Sequence, residues 1–369
     1  MRIGFDAKRL FHNHTGLGVY SRLLVKVLHS LDDQFDPVLF SKSIEKSQYS
    51  TDYTDFTAVQ GSGPLWRRRG VISDIAESGC QLYHGLSHEL PLGIERVGIP
   101  TVVTIHDLIF ERNPSLFPWV DRQIYRHKWT HSTRVADTVI CVSDHTRQDL
   151  MEFYGTSADK IEVVQPMHDP LFEKAPDSEM QLAVRKKYDL PEDYFLYVGS
   201  VTRRKNLLGI LQAMHSLEPA DRIPLVVIGS GGKYLSECQA AVETFRLEQE
   251  VIFCQAVPNE ELPPFYQMAT ALIYPSLYEG FGIPVIESLF CKTPVITSQS
   301  SSLPEAAGPG ALLIDPTDAH ELAAAMHRLA QDSQLQEDLA TRGAAYVQRF
   351  SNATLGHKLL KIYRNFLPK

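Results

Sequence analysis

The chain has 369 residues, more than one hydrophobic core ordinarily serves, so two domains are expected. Hydrophobic residues make up 44% and charged residues 22%, which excludes extended disorder and low complexity. The formal charge of −8 is shared by halves of which neither is basic, and that argues against a nucleic-acid partner.

Met1-Arg-Ile-Gly-Phe-Asp6 opens directly on a strand pattern, with no apolar leader. No later run approaches the ~18 apolar residues of a membrane span. The expected location is the cytoplasm, with any membrane contact peripheral at the inner face. Further strands are expected at 36–40, 81–84, 101–106, 138–143 and 161–165, with helices between them, the pattern of a parallel sheet covered by helices. After the first strand, His12-Asn-His-Thr-Gly-Leu-Gly-Val-Tyr20 puts Gly16 and Gly18 at a helix start, with Leu23, Leu24, Val27 and Leu28 on one face. Thr101-Val-Val-Thr-Ile-His-Asp107 ends a buried strand on two polar groups, His106 and Asp107. The pairs His84/His88 and His127/His131 stand four apart, but neither has an evident third ligand. Ser143 followed by Asp-His-Thr-Arg-Gln reads as a capped helix running to about Phe153.

Pro166, Pro170 and Pro176 punctuate a segment at 166–185 that reads as the interdomain connection. Strands then resume at 194–199, 224–229, 251–254, 271–274, 294–297 and 311–314. Glycines 199, 229 and 231 fall at strand ends, where open α/β sheets bind ligands. Arg203-Arg-Lys205 lies between a strand and a helix, placed to clamp phosphate oxygens. In Tyr274-Pro-Ser-Leu-Tyr-Glu-Gly-Phe-Gly-Ile-Pro-Val-Ile-Glu287, Glu279 and Glu287 bracket two glycines and a Pro suited to a helix start. A helix N-terminus there favours a diphosphate, and the carboxylates can accept hydrogen bonds from sugar or ribose hydroxyls. The tail from 318 to 366 reads as three helices. The five cysteines are scattered through apolar runs and read as reduced core thiols.

The Glu279 to Glu287 segment resembles the E-x7-E signature of retaining glycosyltransferases of family 4. The loop at 199–206, the glycines at 16 and 18, the strand-end His106 and the downstream Ser301-Ser-Leu-Pro-Glu-Ala-Ala-Gly308 match that family in order along nearly the whole chain. The closest flavour is that of bacterial mannosyltransferases of polysaccharide or O-antigen assembly. The resemblance implies an α/β GT-B architecture, two Rossmann-like domains facing a cleft: residues 1–170 for the acceptor, 171–350 for the nucleotide sugar, and a helix in 351–369 crossing back to the first domain.

It further implies that His106, Glu279 and Lys205 carry the chemistry. Donor contacts would come from Gly16, Gly18, Ser200, Arg204, Lys205, Gly229, Glu287 and the backbone of Gly280, Phe281, Gly282 and Ile283, and Asp107 would meet the acceptor. Many members have Arg at the position of Ser200. No cofactor or metal is expected, and the sequence contains no D-x-D. The implied reaction moves a hexose, mannose from GDP-mannose by preference, to a glycan or lipid-linked saccharide. The alternatives are a UDP-sugar donor, a sugar-nucleotide 2-epimerase, and a non-catalytic nucleotide-binding or NAD-type Rossmann protein. For the last, the G-x-G-x-x-G fingerprint is incomplete at both glycine clusters.

Overall fold

The computed structural model describes residues 1–367, so the last two residues of the expected 351–369 segment lie outside the described residues. The chain forms two compact units, one of Met1–Met167 together with the segment from Phe350 on, the other His168–Arg349.

The first unit holds a seven-stranded sheet of β1 (Arg2–Asp6), β2 (Asp36–Lys42), β3 (Thr57–Gly61), β4 (Leu82–Gly85), β5 (Thr101–Ile105), β6 (Thr138–Cys141) and β7 (Ile161–Val163), in the order 3-2-1-4-5-6-7. The second holds β8 (Phe195–Val198), β9 (Leu225–Ile228), β10 (Val251–Cys254), β11 (Ala271–Tyr274), β12 (Val295–Ser298) and β13 (Ala311–Ile314), in the order 10-9-8-11-12-13. All pairings are parallel. Helices cover the sheet faces, so central strands such as Thr101–Ile105 and Ala271–Tyr274 are buried at every position. Each sheet has one point where its winding reverses, between β1 and β4 in the first unit and between β8 and β11 in the second. Ligands of such sheets bind at the carboxyl ends flanking that point.

Twelve of these strands form where the alternation of apolar runs predicts them, within a residue or two. The thirteenth, β3, is an edge strand with mostly exposed side chains, so its Thr-Ala-Val-Gln-Gly sequence carries no apolar run. The expected connection at 166–185 is corrected. A helix occupies Ser178–Tyr188, with the Asp177 carboxylate accepting from the N–H groups of Glu179 and Met180 at 3.0 and 3.2 Å. Pro176 therefore precedes a helix cap rather than marking open loop. That helix buries only Val184, which is why its apolar periodicity is weak.

The last helix, Asn352–Arg364, belongs to the first unit. It packs against the helix Gly16–Leu31 and buries Leu355, Leu359, Leu360 and Tyr363, the last against Phe5 and His84 of the sheet. A Cβ on Gly356 would stand 2.4 Å from Leu31 Cδ1, so glycine permits this close approach. All five cysteines are buried and unpaired.

Candidate active site

In the second unit, the chain leaves β8 through Gly199 and turns through Arg203–Lys205 into the helix Leu207–Ser216. Gly199 has φ +140°, a conformation open to glycine. The three consecutive cations separate. Arg203 points to solvent, pairs with Glu237 at 2.5 Å and lies over the Tyr234 ring. Arg204 and Lys205 instead meet Glu279, which follows the adjacent strand β11, so the group sits at the carboxyl ends flanking the reversal point.

One carboxylate oxygen, Glu279 Oε1, accepts from Arg204 Nη1 at 2.5 Å, Lys205 Nζ at 2.7 Å and the Tyr274 hydroxyl at 3.1 Å. Lys205 Nζ also donates to the Tyr274 oxygen, and Arg204 Nη1 to the carbonyl of Tyr278 at 2.7 Å. Burial by itself would raise the Glu279 pKa, but Lys205 and then Arg204 hold it down to about 2. The carboxylate is thus ionised at neutral pH. Two guanidinium and ammonium charges against one carboxylate leave a net positive cluster, suited to an anion.

The turn after Glu279 is fixed by hydroxyls. Ser301 Oγ accepts from the Glu279 N–H at 3.1 Å, while Ser302 Oγ is within 2.9 Å of the carbonyls of Glu279 and Phe281 and donates there. Gly282 has φ +119°, a conformation that favours glycine, and a Cβ there would stand 2.8 Å from Leu303 Cδ2, which would have to shift. The helix Ile283–Phe290 starts at Ile283, with Pro284 at its second position. The first N–H groups of any helix lack acceptors within it. Glu287, one turn in, accepts from the Tyr266 hydroxyl at 3.0 Å. Its pKa is pushed up to about 7 by burial, against the Tyr266 bond that pulls it down.

Ser200 is exposed, and its carbonyl accepts from the Tyr197 hydroxyl at 3.3 Å. Gly229 has a packing reason of its own, because a Cβ would fall 2.0 Å from the carbonyl oxygen of Gly199. Gly280 and Ile283 are partly buried and Phe281 is buried. Tyr274, Tyr266, Ser301 and Ser302 were not singled out as site residues by the sequence reading. Tyr274 is the final residue of an otherwise apolar strand, and that polar ending beside the E-x7-E segment is the signal that could have found it.

In the first unit, Gly18 lies in the first turn of the helix Gly16–Leu31, where a Cβ would stand 1.9 Å from the Asn13 carbonyl oxygen; a Cβ on Gly16 would meet nothing within 4 Å. Tyr20 of that helix packs edge-on against His106 with ring centroids 4.7 Å apart, which brings the helix start and the end of β5 together. His106 Nε2 donates to the Leu86 carbonyl at 2.9 Å, leaving Nδ1 as an acceptor. Burial lowers its pKa to about 4, so the ring is neutral at pH 7. The Asp107 carboxylate accepts from the Ile109 N–H at 3.2 Å. His84 is fully buried between Tyr363 and Thr104, and His88 stacks on Trp129 at 4.1 Å. Among the described residues no group of His, Cys, Asp or Glu could hold a metal ion, and no helix is long and apolar enough to cross a membrane.

Two Rossmann-like units of parallel sheets, one ending in a cation–carboxylate cluster beside a glycine turn and helix start, define the GT-B class of glycosyltransferases. The family model for Glycosyltransferase Family 4 matches residues 16–170, and that for glycosyl transferases group 1 matches residues 181–346. The chain is 34% identical over 274 residues to O-antigen chain mannosyltransferase B of Escherichia coli, covering 73% of this chain and 70% of the relative. It is 25% identical over 292 residues to the serotype-specific mannosyltransferase WbdA of Escherichia coli, covering 77% of this chain but only 36% of that protein's length. The crystal structure of Anabaena HepE in complex with UDP matches the fold with a TM-score of 0.78 at 16% identity, covering 99% of each chain. The chain belongs to glycosyltransferase family 4 and is a glycosyltransferase of the GT-B type.

Proposed function

We propose that the protein transfers mannose from GDP-mannose, with retention at the anomeric carbon and without a metal ion, to a saccharide or lipid-linked saccharide in polysaccharide assembly. The observation that carries this reading is the shared Glu279 oxygen: a buried carboxylate holds Arg204 and Lys205 side by side at the mouth of a glycine turn. In the reaction, the bond from the anomeric carbon to the diphosphate oxygen breaks as the acceptor oxygen bonds to that carbon on the same face. The departing phosphate oxygen takes the acceptor proton, and nucleoside diphosphate is released.

Negative charge grows on the diphosphate, where Arg204, Lys205 and the N–H groups opening the helix at Ile283 stabilise it. Glu279 orients sugar hydroxyls, and Glu287 accepts from the ribose. In the first unit, Gly16 leaves room for close backbone approach to the donor, the neutral His106 accepts from a sugar hydroxyl through Nδ1, and Asp107 meets the acceptor. The 34% identity to an O-antigen mannosyltransferase supports mannose as the sugar. A peripheral membrane contact is supported by exposed Trp119, Val120 and Ile124 at one end of the helix Trp119–Val135.

The test is incubation with GDP-mannose, UDP-glucose or UDP-galactose and synthetic saccharide acceptors, with and without EDTA. Transfer of mannose as the α-anomer, unchanged by EDTA, is expected. Transfer from a UDP-sugar alone would discard the mannose assignment, and interconversion of the donor with no acceptor present would replace transfer by 2-epimerisation.

A further inference from the structure

A cavity lies at the reversal point of the first unit's own sheet, where β1 and β4 end. Its volume is about 660 Å3, within the usual range for a ligand pocket. Asp6 closes β1, Lys8 follows it, Lys42 closes β2, and Glu89 follows β4, so the walls come from the ends of successive strands. The helix Trp119–Val135 adds Lys128, and the turn Trp66–Gly70, wound as a π-helix, brings Arg67 and Arg68 to the cavity. Such turns are rare and cluster at functional sites.

The charges in this cavity are unequal. Six Lys and Arg side chains line it against two carboxylates, on a chain whose formal net charge is −8. Both carboxylates are already committed. Arg67 spans them, with Nη2 2.6 Å from Asp6 Oδ2 and Nη1 2.8 Å from Glu89 Oε2, and Lys128 Nζ takes Glu89 Oε1 at 3.1 Å. Among the described residues, Lys8, Lys42, Lys46 and Arg68 have no carboxylate within ion-pair distance. Desolvation against the cavity wall, then the charges of Arg67 and Arg9, lower the Lys8 pKa, although its side chain still reaches solvent. A group of cations that repel one another around a ligand-sized cavity is stabilised by an anion, and Arg and Lys together suit phosphate oxygens. Accidental surface lysines would not be expected to converge from four separate segments on the one topological position where such sheets take ligands.

We propose that this cavity binds the phosphate ester of the acceptor, a monophosphate or diphosphate carried on a sugar or a lipid, with Lys8, Lys42 and Arg68 as its cations. The proposal rests on the glycosyl-transfer reading only in calling that ligand the acceptor; the anion site itself is independent of it. Arg67 serves as a positioning residue, because its fork holds Asp6 and Glu89 away from the ligand.

Binding is measured directly, with saturating GDP or UDP present to occupy any nucleotide site. The probes are an alkyl mannosyl diphosphate, the matching uncharged alkyl mannoside, and vesicles of phosphatidylcholine with and without phosphatidylglycerol. The variants are Lys8→Gln, Arg68→Gln and the double variant, all at exposed positions, with nucleotide binding and melting temperature as folding controls. The diphosphate is expected to bind at least tenfold more tightly than the uncharged glycoside, to weaken steeply with salt, and to lose about tenfold in each single variant while nucleotide affinity stays unchanged. Binding only to phosphatidylglycerol vesicles, lost in the same variants, would assign the phosphate ester to a membrane lipid. Equal affinity for charged and uncharged probes, or full binding by the double variant, overturns the proposal. Loss of nucleotide binding in the parent protein would instead count against the donor site of the second unit.

Discussion

Lys205 Nζ lies 2.7 Å from Glu279 Oε1, and each side chain is only 10% exposed. This pair joins the two strand ends that flank the reversal point of the second sheet, so it acts on stability as well as on ligand binding. Replacing Glu279 by Gln strands two cations around a neutral amide, and breaking a buried pair from one side typically costs about 3 kcal/mol or more. Lys205 softens that loss by giving up its proton, since burial already lowers its pKa. We expect Glu279→Gln to lose about 2–3 kcal/mol in urea unfolding and to slow transfer by roughly 10²–10³-fold. Adding Lys205→Met should recover part of the stability but none of the activity. Wild-type turnover in Glu279→Gln would remove this carboxylate from the mechanism.

Gly16 and Gly18 lie two residues apart but answer to different constraints. The Gly18→Ala methyl would fall 1.9 Å from a backbone oxygen, so the helix start must shift, at a cost of about 1–3 kcal/mol. The Gly16→Ala methyl meets nothing in the protein, so stability should change by no more than about 0.5 kcal/mol. If Gly16 is there for close approach of the donor, Gly16→Ala should nevertheless cut transfer about tenfold or more. Melting curves and turnover on both variants separate the two roles, and a fully active Gly16→Ala would make that glycine incidental.

Glu287 gives a pH signature. Its folded pKa of about 7 lies above the ordinary carboxyl value, so protonation favours the folded chain: the contribution is complete below about 4.5 and is lost as the pH rises through about 7. Function runs the other way, because the ionised carboxylate is the better acceptor for a ribose hydroxyl. Nucleoside diphosphate affinity should rise between pH 6 and 8, and Glu287→Gln should flatten that rise while gaining stability relative to the parent at pH 8. An unchanged profile in Glu287→Gln would place the titration elsewhere.

Both sheets were legible because their strands are buried on two faces and read as apolar runs. The edge strand β3 was not, since most of its side chains are exposed and it carries no apolar run. The segment around Glu279 was legible because glycines and a Pro mark a turn into a helix. Its partners were harder to see: Tyr274 and Tyr266 read as core aromatics, and only the fold shows that their hydroxyls rest on the two glutamates. Nor could the run at 203–205 say that Arg203 turns away to Glu237 while its two neighbours turn inward. The cation-lined cavity of the first unit was invisible for a related reason, because its lysines and arginines come from four segments far apart in the chain, and within each segment they read as solvated side chains.

The histidine at position 84 ties the last helix to the first sheet. Its ring is fully buried, with Nδ1 2.6 Å from the Tyr363 hydroxyl and Nε2 2.8 Å from Thr104 Oγ1. Burial, and then the neighbouring His106, lower its pKa to about 3. The unfolded chain therefore takes up a proton near pH 6.5 that the folded chain refuses, and the stability present above pH 6.5 is lost as the pH falls toward 3. Buried His106 and His168, each lowered to about 4, act in the same direction. Stability should fall between pH 6.5 and 4. Tyr363→Phe removes one partner of a buried ring nitrogen and should cost about 1–3 kcal/mol at pH 7. Arg364→Ala, which breaks an exposed bridge to Asp32 at 2.8 Å, should cost less than about 1 kcal/mol. Urea unfolding of both variants at pH 7 and pH 5 tests this ordering. Equal losses would mean that the helix is held by its apolar face alone.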